Sequence, residues 1–281
     1  MFLKRKKLRI AQVLVVLLFL SSPFAAGAGD LPLPADLNAK ASVLTSEVGG
    51  LWEKSLVVVF PQKRHMLSTN EGMLQGMIAM NHAAHPELFR RVCIEMKTKN
   101  EVGGKVYIRR IKERIAHRFG VLPEQIAEMA TAVDLENVVV ITKVYPPFTV
   151  TSLVTAGAKA NALRSGLDEG RYIEGEEPKG TVNVILLTNA VLTEGAMARA
   201  VVTLTEAKTA AFEDLKIPSS FTKNAQATGT GTDNAIIVSG VAGPKVSYTG
   251  GHSKIGELIG KAVYEGVIKA LEKQNGFKRQ N

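Results

Sequence analysis

Apolar residues recur along the chain in two patterns, short runs typical of buried strands and a spacing of three to four typical of helices. The short runs predict strands at residues 55–60, 138–142, 148–154, 181–188, 234–239 and 245–248. The helical spacing predicts helices at residues 86–97, 106–118, 121–132, 193–215 and 253–273. Thr193 and Ser253 stand where the last two helices begin, and each is suited to act as an N-cap. The glycine-spaced run 67–80 predicts a turn that feeds a strand or a short helix.

Strands and helices alternate irregularly, and neither an internal repeat nor a linker divides them. This mixture predicts an α/β (α+β) fold, a single domain with a central mixed β-sheet flanked by helices. We expect the domain to span residues 49–273, between an extended leader at 29–48 and a tail at 274–281. The polar, glycine-rich stretch 166–180 predicts an exposed loop.

The first 28 residues have the pattern of a secretory signal peptide. A basic start precedes the apolar run 10–20, and Ala26-Gly27-Ala28 offers small residues for cleavage. The apolar run is shorter than the roughly 20 residues that span a bilayer. We therefore expect an exported, periplasmic protein with no stable membrane span after cleavage.

The charge and the cysteine content of the chain restrict its possible partners and its possible disulfides. Residues 1–28 carry five basic and no acidic residues, so the net charge of +9 for the whole chain falls to +4 for the rest. Most of the basicity thus belongs to the targeting segment, and it indicates no nucleic-acid partner. Cys93 is the single cysteine, so no intramolecular disulfide is possible, and its apolar neighbours predict a buried structural thiol.

Several familiar site patterns do not fit this sequence. Residues 229–234 (GTGTDN) begin like a dinucleotide-binding turn but lack its third glycine and precede a strand instead of following one. The sequence has neither a GxxxxGK[ST] phosphate loop nor a GxSxG nucleophile elbow. His82 and His85 are three apart, but no further ligand stands at a diagnostic spacing, so we predict no metal site.

Polar side chains cluster instead at the ends of predicted elements. They are Asn81 and His82, Asn161, Glu206, the group Thr228, Thr230, Thr232 and Asp233, and the group His252, Ser253 and Lys254. The last two groups lie in residues 225–260, within glycine-rich turns that let the main chain approach a ligand closely. Each cluster alone has a structural interpretation as a turn, a cap or a solvated helix residue. Together they predict a site.

The clusters lie within longer stretches that are specific in order and spacing, LSTNEGMLQGMIAMNH, TVTSLVTAGAKANALRSG, GTVNVILLTNA, TEAKTAA, ATGTGTD and GGHSKIGELIG. Over roughly residues 51–271, the chain resembles the adenosylcobinamide amidohydrolase family. The resemblance implies hydrolysis of the amide that joins a propionyl side chain of the corrin ring to aminopropanol. Its products are adenosylcobyric acid and (R)-1-amino-2-propanol. The substrate is a corrinoid that carries its own cobalt, so no separate cofactor is expected.

Amide hydrolysis requires an activated nucleophile, a stabilised oxyanion and a protonated leaving amine. We expect His252 to act as the base, because it adjoins a glycine pair at a helix amino terminus and imidazole titrates near neutral pH. Asp233 is expected to orient that histidine or to hold a water. Glu206 is a reserve base, on the argument that it lies within an alanine-rich packing face.

The nucleophile is open between water and the hydroxyl of Thr232 or Thr230. The oxyanion is expected to meet the main-chain N–H groups of the glycine turn or the Asn161 amide. The predicted substrate-binding residues are Asn81, His82, Asn161, Thr228, Thr230, Ser253 and Lys254.

Two alternatives stay open. One is a non-catalytic periplasmic protein that binds corrinoids and assists their uptake, with the uptake machinery as its partner. The other is a secreted amidase for a different ligand. The sequence does not indicate an oligomeric state.

Overall fold

The computed structural model describes residues 25–97, 103–170 and 180–279. The described helices are α1 (Pro86–Lys97), α2 (Gly103–Phe119), α3 (Glu194–Asp214) and α4 (Lys254–Asn275). The strands are β1 (Ala25–Leu31), β2 (Lys40–Val48), β3 (Leu51–Ser68), β4 (Gly72–Ala84), β5 (Ile126–Thr131), β6 (Val139–Tyr145), β7 (Phe148–Gly157), β8 (Thr181–Thr188), β9 (Val191–Leu192), β10 (Asn234–Val238) and β11 (Lys245–Val246). Short 3-10 turns occur at Ala35–Leu37, Pro123–Gln125 and Leu135–Asn137.

Nine of the strands form one sheet in the order β1-β2-β3-β10-β8-β7-β6, with β4 and β5 continuing from the other edge of β3. The pairs β4–β5 and β8–β10 are parallel, and the other pairs of this sheet are antiparallel. The prediction of a single α/β domain with a central mixed sheet is therefore confirmed.

The sheet curls into a barrel-like shape, and its inner face holds a core of its own. Leu56, Ala127, Leu153, Ile185 and Ile236 pack together there. Helices α1 and α2 cover the outer face of β2 to β5, and α3 and α4 cover the outer face of β6, β7, β8 and β10. Every residue of β8 is buried as a result, which accounts for its mostly apolar sequence without alternation.

The turn between β3 and β4 helps to close the curl. Thr69 Oγ1 accepts a hydrogen bond from the Ala235 amide of β10 at 3.1 Å, and Asn70 Nδ2 donates to the Glu128 carbonyl of β5 at 3.1 Å. The tip of the hairpin thus joins two strands that do not pair with each other.

The predicted helix caps are confirmed. Thr193 Oγ1 accepts from the Ala196 amide at 3.2 Å, and Ser253 Oγ accepts from the Gly256 amide at 3.1 Å. Helix α1 has the predicted bounds. Cys93 on α1 is half-buried, so the expectation of a fully buried thiol is wrong.

Two local predictions are wrong. The helix predicted at 121–132 is instead a 3-10 turn followed by β5, which pairs in parallel with β4. The apolar residues of β5 alternate between the inner core and α2, and the pairing of β5 with β4 outweighs a weak helical preference.

The strand predicted to end before Pro61 continues to Ser68. The pairing with β4 shifts between Val59 and Arg64, so the proline lies in a bulge where its missing N–H costs no ladder bond.

The segment expected to be an extended leader is extended but belongs to the sheet. Strand β2 pairs with β3 along its whole length, and Leu44 and Val48 are buried beneath α1 and α2. The packed structure therefore begins before residue 49. Residues 1–24 of the expected signal peptide and residues 171–179 of the expected loop lie outside the described residues. Within the described part of the chain, no helix is both long and apolar enough to span a bilayer.

Candidate functional site

The threonine–glycine turn at residues 228–233 lies at the end of the sheet where β8 and β10 begin. Thr230 donates twice to the Asp233 side chain, from its main-chain N–H to Oδ2 at 3.2 Å and from its hydroxyl to Oδ1. Gly231 has a φ of +75°, a conformation that favours glycine. The turn is therefore folded around the Asp233 carboxylate.

Two further donors complete the surroundings of Asp233. The Val182 amide of β8 donates to Oδ1 at 3.0 Å, and the Lys208 ammonium of α3 donates to Oδ2. A carboxylate offers about four lone-pair positions, so these donors and the two of Thr230 occupy all of them. Asp233 thus ties the turn to β8 and α3.

Lys208 is buried in this pair, with its side chain 10 % exposed and that of Asp233 16 % exposed. Gly229 explains how the main chain comes so close. A Cβ at residue 229 would stand 2.5 Å from Lys208 Nζ and 2.3 Å from Asp233 Oδ2, so no other residue fits without moving the ion pair.

The carbonyl of Gly180 is a second point of convergence. It accepts from Thr232 Oγ1 at 2.6 Å and from Asn161 Nδ2 at 2.8 Å. The Thr232 carbonyl in turn accepts from Thr181 Oγ1 at 2.6 Å. These bonds hold the start of β8 against the turn.

Buried amides extend the network into the curl of the sheet. Asn183 Nδ2 donates to Asn81 Oδ1 at 2.9 Å and to the Ala130 carbonyl at 2.8 Å, and Asn81 Nδ2 donates to Thr155 Oγ1 at 2.9 Å. Thr181 Oγ1 contacts Asn183 Oδ1 at 3.0 Å, which joins the amides to the turn. We name the whole set the glycine-turn network, comprising Asn81, Thr155, Asn161, Gly180, Thr181, Asn183, Lys208, Gly229, Thr230, Thr232 and Asp233.

Thr228 lies at the margin of this network. Its hydroxyl accepts from the Ser165 amide at 3.0 Å and donates to the Leu163 carbonyl at 3.2 Å. It therefore connects the turn to the loop after β7.

His82 faces away from the network, although it follows Asn81 in the sequence. It is buried, and its ring lies 2.8 Å from Ser55 Oγ and 2.9 Å from the Tyr107 hydroxyl. Burial lowers the pKa of His82 to about 4, against an attraction from Glu53 that raises it. His82 is thus separated from the glycine-turn network, because neighbouring residues of a strand point to opposite faces. Its contact with substrate stays a prediction.

The Tyr107 proton fixes the tautomer of His82. Tyr107 donates to Glu53 Oε1 at 2.6 Å, so Nε2 of His82 donates to the Tyr107 oxygen and Nδ1 accepts from Ser55. Arg114 pairs with the other carboxylate oxygen of Glu53 at 2.5 Å. Burial is the largest single influence on the pKa of Glu53 and raises it, but the charge of Arg114 and the other opposing contacts together lower this pKa below its usual value. This buried chain of hydrogen bonds attaches α2 to the sheet.

His252, Ser253 and Lys254 lie at the opposite end of the sheet from Asp233. At the start of α4, Lys254 Nζ lies 4.5 Å from the centre of the Tyr145 ring, beside the start of β7. At the end of α4, Asn275 Oδ1 accepts a hydrogen bond from the Ala158 amide, just beyond the end of β7. The 22 residues of α4 span about 33 Å. The expectation that Asp233 orients His252 is therefore wrong.

The surroundings of these three residues are those of a helix start. His252 is exposed, with its ring 5.5 Å from that of Tyr248. Ser253 caps α4, and Lys254 pairs with Glu257 at 2.5 Å. The structure thus separates them from the glycine-turn network.

Glu206 is exposed on α3. The buried face of this helix instead carries Ala200, Leu204, Lys208 and Ala211. The expectation that Glu206 lies within the packing face is wrong, and the charged residue of that face is Lys208.

Sequence reasoning missed Thr155, Thr181 and Asn183 as members of the site, and it placed Lys208 beside Glu206 without assigning it a role. Lys208 had a detectable signal, because it continues the spacing of Ala200 and Leu204 on an apolar helix face. Thr181 and Asn183 lie in a continuous buried strand, where alternation gives no warning of a polar inner face.

Within the described residues, no group of three or more His, Cys, Asp or Glu side chains could hold a metal ion. Two open clefts, of about 480 Å³ and 410 Å³, run along α4 and β6. Neither is lined by a residue of the glycine-turn network.

Comparison with known proteins assigns most of the chain to one family. Residues 40–279 match the family model described as adenosylcobinamide amidohydrolase. An uncharacterized protein of Methanocaldococcus jannaschii is 41% identical over 250 residues, which cover 83% of this chain and 92% of that protein. An adenosylcobinamide amidohydrolase of Methanosarcina mazei is 31% identical over 153 residues, which cover 51% of this chain and 65% of that protein.

Among solved structures, the PH0078 protein of Pyrococcus horikoshii OT3 aligns with a TM-score of 0.39 and 12% identity. The alignment covers 79% of this chain and 78% of that one.

Proposed function

The chain belongs to the adenosylcobinamide amidohydrolase family, and from this premise we propose that it hydrolyses the amide between a corrin propionyl side chain and aminopropanol in adenosylcobinamide. Water supplies one oxygen, the C–N bond breaks, and the products are the carboxylate of adenosylcobyric acid and the ammonium of (R)-1-amino-2-propanol. The cobalt belongs to the substrate, and the protein contributes no further cofactor.

The observation that carries the proposal is the glycine-turn network. It brings together the predicted residues Asn81, Asn161, Thr230, Thr232 and Asp233, which are widely separated in the sequence. Buried hydrogen-bonding groups held in one arrangement are what an enzyme needs to stabilise charge in a transition state. We therefore assign the reaction to this end of the sheet.

The exposure of the site residues suits the aminopropanol arm of the substrate better than the corrin ring. Gly231 is exposed and Thr232 is half-buried, whereas Asn81 and Asn183 are buried. We propose that the corrin ring rests outside the glycine turn while the aminopropanol arm reaches Thr232 and the ion pair behind it. Asn81 and Asn183 then position the turn through Thr181 without touching substrate.

We assign the nucleophile to water. The hydroxyl proton of Thr230 is donated to Asp233, whose acceptor positions are all occupied, and that of Thr232 is donated to the Gly180 carbonyl. A carbonyl oxygen cannot remove the Thr232 proton, and the Asp233 carboxylate is already shared among Lys208, the Val182 amide and the Thr230 amide, so we assign neither hydroxyl the nucleophilic role. An acylated threonine in the mass spectrum of enzyme quenched during turnover would contradict this assignment.

Incubation of the purified protein with cobinamide tests the proposal. Release of aminopropanol together with cobyric acid is expected, and it should persist in the presence of a chelator because no resident metal is involved. Binding without release would favour the non-catalytic corrinoid-binding protein. Neither binding nor release would favour an amidase for another ligand.

We also propose that the protein is exported to the periplasm through residues 1–28 and acts on corrinoids before uptake. Cleavage after Ala28 would leave the pairing of Gly29, Asp30 and Leu31 with β2 intact. The mass of the amino-terminal peptide from a periplasmic fraction tests this. A peptide that begins at Gly29 is expected, and an intact amino terminus in the cytoplasmic fraction would overturn it.

A further inference from the structure

Lys208 is a buried ammonium whose hydrogen-bonding capacity is only partly used. It has three N–H donors, and one of them is directed at Asp233. Within the described residues, Asp233 is the one hydrogen-bond partner of its Nζ. A buried charge with donors to spare, behind a turn whose Gly231 is exposed and whose Thr232 is half-buried, is suited to bind a negatively charged oxygen.

We propose that Lys208 is the catalytic residue that stabilises the oxyanion of the tetrahedral intermediate, an assignment that rests on the proposed amide hydrolysis. As water adds to the carbonyl carbon, the C=O π electrons move to the oxygen, which accepts an N–H of Lys208. When the C–N bond breaks, these electrons return to re-form the C=O bond. The amine leaves with the proton that water lost, and Lys208 keeps its own protons throughout.

Two of the donors expected for this role already have partners. The N–H of Thr230 in the glycine turn donates to Asp233, and the Asn161 side chain donates to the Gly180 carbonyl. Lys208 is in addition held in place, because its partner Asp233 is fixed by Val182 and Thr230. A preorganised donor needs little rearrangement as charge develops.

The glycine at residue 229 supports the same conclusion. A Cβ there would stand 2.5 Å from Lys208 Nζ, so any other residue would displace the ammonium from its place beside the main chain. If Lys208 served only to neutralise Asp233, then a neutral pair of the same shape would serve equally well, because buried ion pairs are often replaceable in this way.

A double-mutant cycle separates the two roles. Lys208→Met, Asp233→Asn and the combined variant are compared with wild type for thermal unfolding and for kcat and KM with cobinamide. Lys223→Met is the matched control, since Lys223 is exposed. We expect Lys208→Met to unfold at a lower temperature, because it leaves Asp233 buried without its cation, and the combined variant to recover that stability.

Activity decides the assignment. In the Asp233→Asn background, loss of Lys208 is expected to lower kcat by at least about 100-fold, with KM changed by less than about threefold. A combined variant as active as Asp233→Asn would overturn the oxyanion role while leaving the hydrolase proposal intact, since wild-type turnover tests that proposal separately. Should Asp233→Asn not fold, Lys208→Arg provides the test, because it keeps the charge but displaces the donors. A folded Lys208→Arg protein with at least a tenfold lower kcat is expected, and wild-type kcat would overturn the role.

Discussion

The ammonium of Lys208 on α3 and the carboxylate of Asp233 before β10 form a buried ion pair beside Gly229. This pair joins the helical layer to the end of the sheet, because Asp233 also accepts from the Val182 amide of β8. Asp233 thus holds the glycine turn and the Lys208 ammonium in place, and it does not orient His252.

Replacement of Asp233 by Ala should destabilise the protein strongly. The change leaves Lys208 buried without a counter-charge and removes acceptors from Val182 and Thr230. Loss of one partner of a buried pair costs about 3 kcal/mol or more, and we expect at least that decrease in the free energy of unfolding by urea titration. The exposed Glu206→Ala is the control, and a loss below about 1 kcal/mol at Asp233 would contradict this account.

His82 should make the protein less stable in mild acid. Its pKa is lowered from 6.5 to about 4, so between these values the unfolded chain takes up a proton that the folded chain excludes. The stabilisation is complete above pH 6.5 and is lost as the pH falls towards 4, by about 3 kcal/mol at 1.36 kcal/mol per pH unit. Urea titrations of wild type and His82→Gln across this range should show a flatter dependence in the variant. Equal slopes would show that His82 is protonated in the folded protein.

Glu128 should act in the opposite direction. Burial, followed by the charge of Glu71, raises its pKa from 4.5 to about 7, while Lys112 opposes the shift. Between these values the folded state holds a proton that the unfolded state releases, so this group's contribution to stability declines as the pH rises through the window. We expect Glu128→Gln to be more stable than wild type by about 3 kcal/mol at pH 8 and to match it near pH 4. A variant without this pH-dependent gain would show that Glu128 is ionised throughout.

His252→Ala should leave catalysis nearly unchanged. The histidine is exposed at the start of α4, and the helix places it about 33 Å from the end of the sheet that carries Asp233. We expect kcat and KM for cobinamide to stay within about twofold of wild type, as for the exposed Glu206→Gln control. A loss of 100-fold in kcat by a folded His252→Ala protein would move the reaction to the other end of the sheet.

Much of the fold could be predicted from the sequence because its signals are local. Thr193 and Ser253 cap their helices through hydrogen bonds to residues three positions away, and β8 is buried throughout with a run of four apolar residues from Val184 to Leu187. Strand β5 was not predictable in this way. It becomes a strand through parallel pairing with β4, a contact that no local spacing reveals.

The candidate site was predictable in its residue types and not in its geometry. Asn81 and Asp233 belong to one network because separate strands bring them to one end of the sheet. The sequence does not show at which end of the sheet a loop lies, so proximity along the chain wrongly predicts that His252 lies beside Asp233. The separation of Asn81 from His82, by contrast, follows from strand alternation once β4 is known to be a strand.

The measurement that tests the central claim most directly is product release by the wild-type protein and by the Lys208→Met/Asp233→Asn protein. With cobinamide as substrate, wild type is expected to release one aminopropanol for each cobyric acid formed. The folded double variant is expected to bind cobinamide and release aminopropanol at least about 100-fold more slowly. Equal release by both proteins, or none by wild type, would contradict an amide hydrolase at the glycine-turn network.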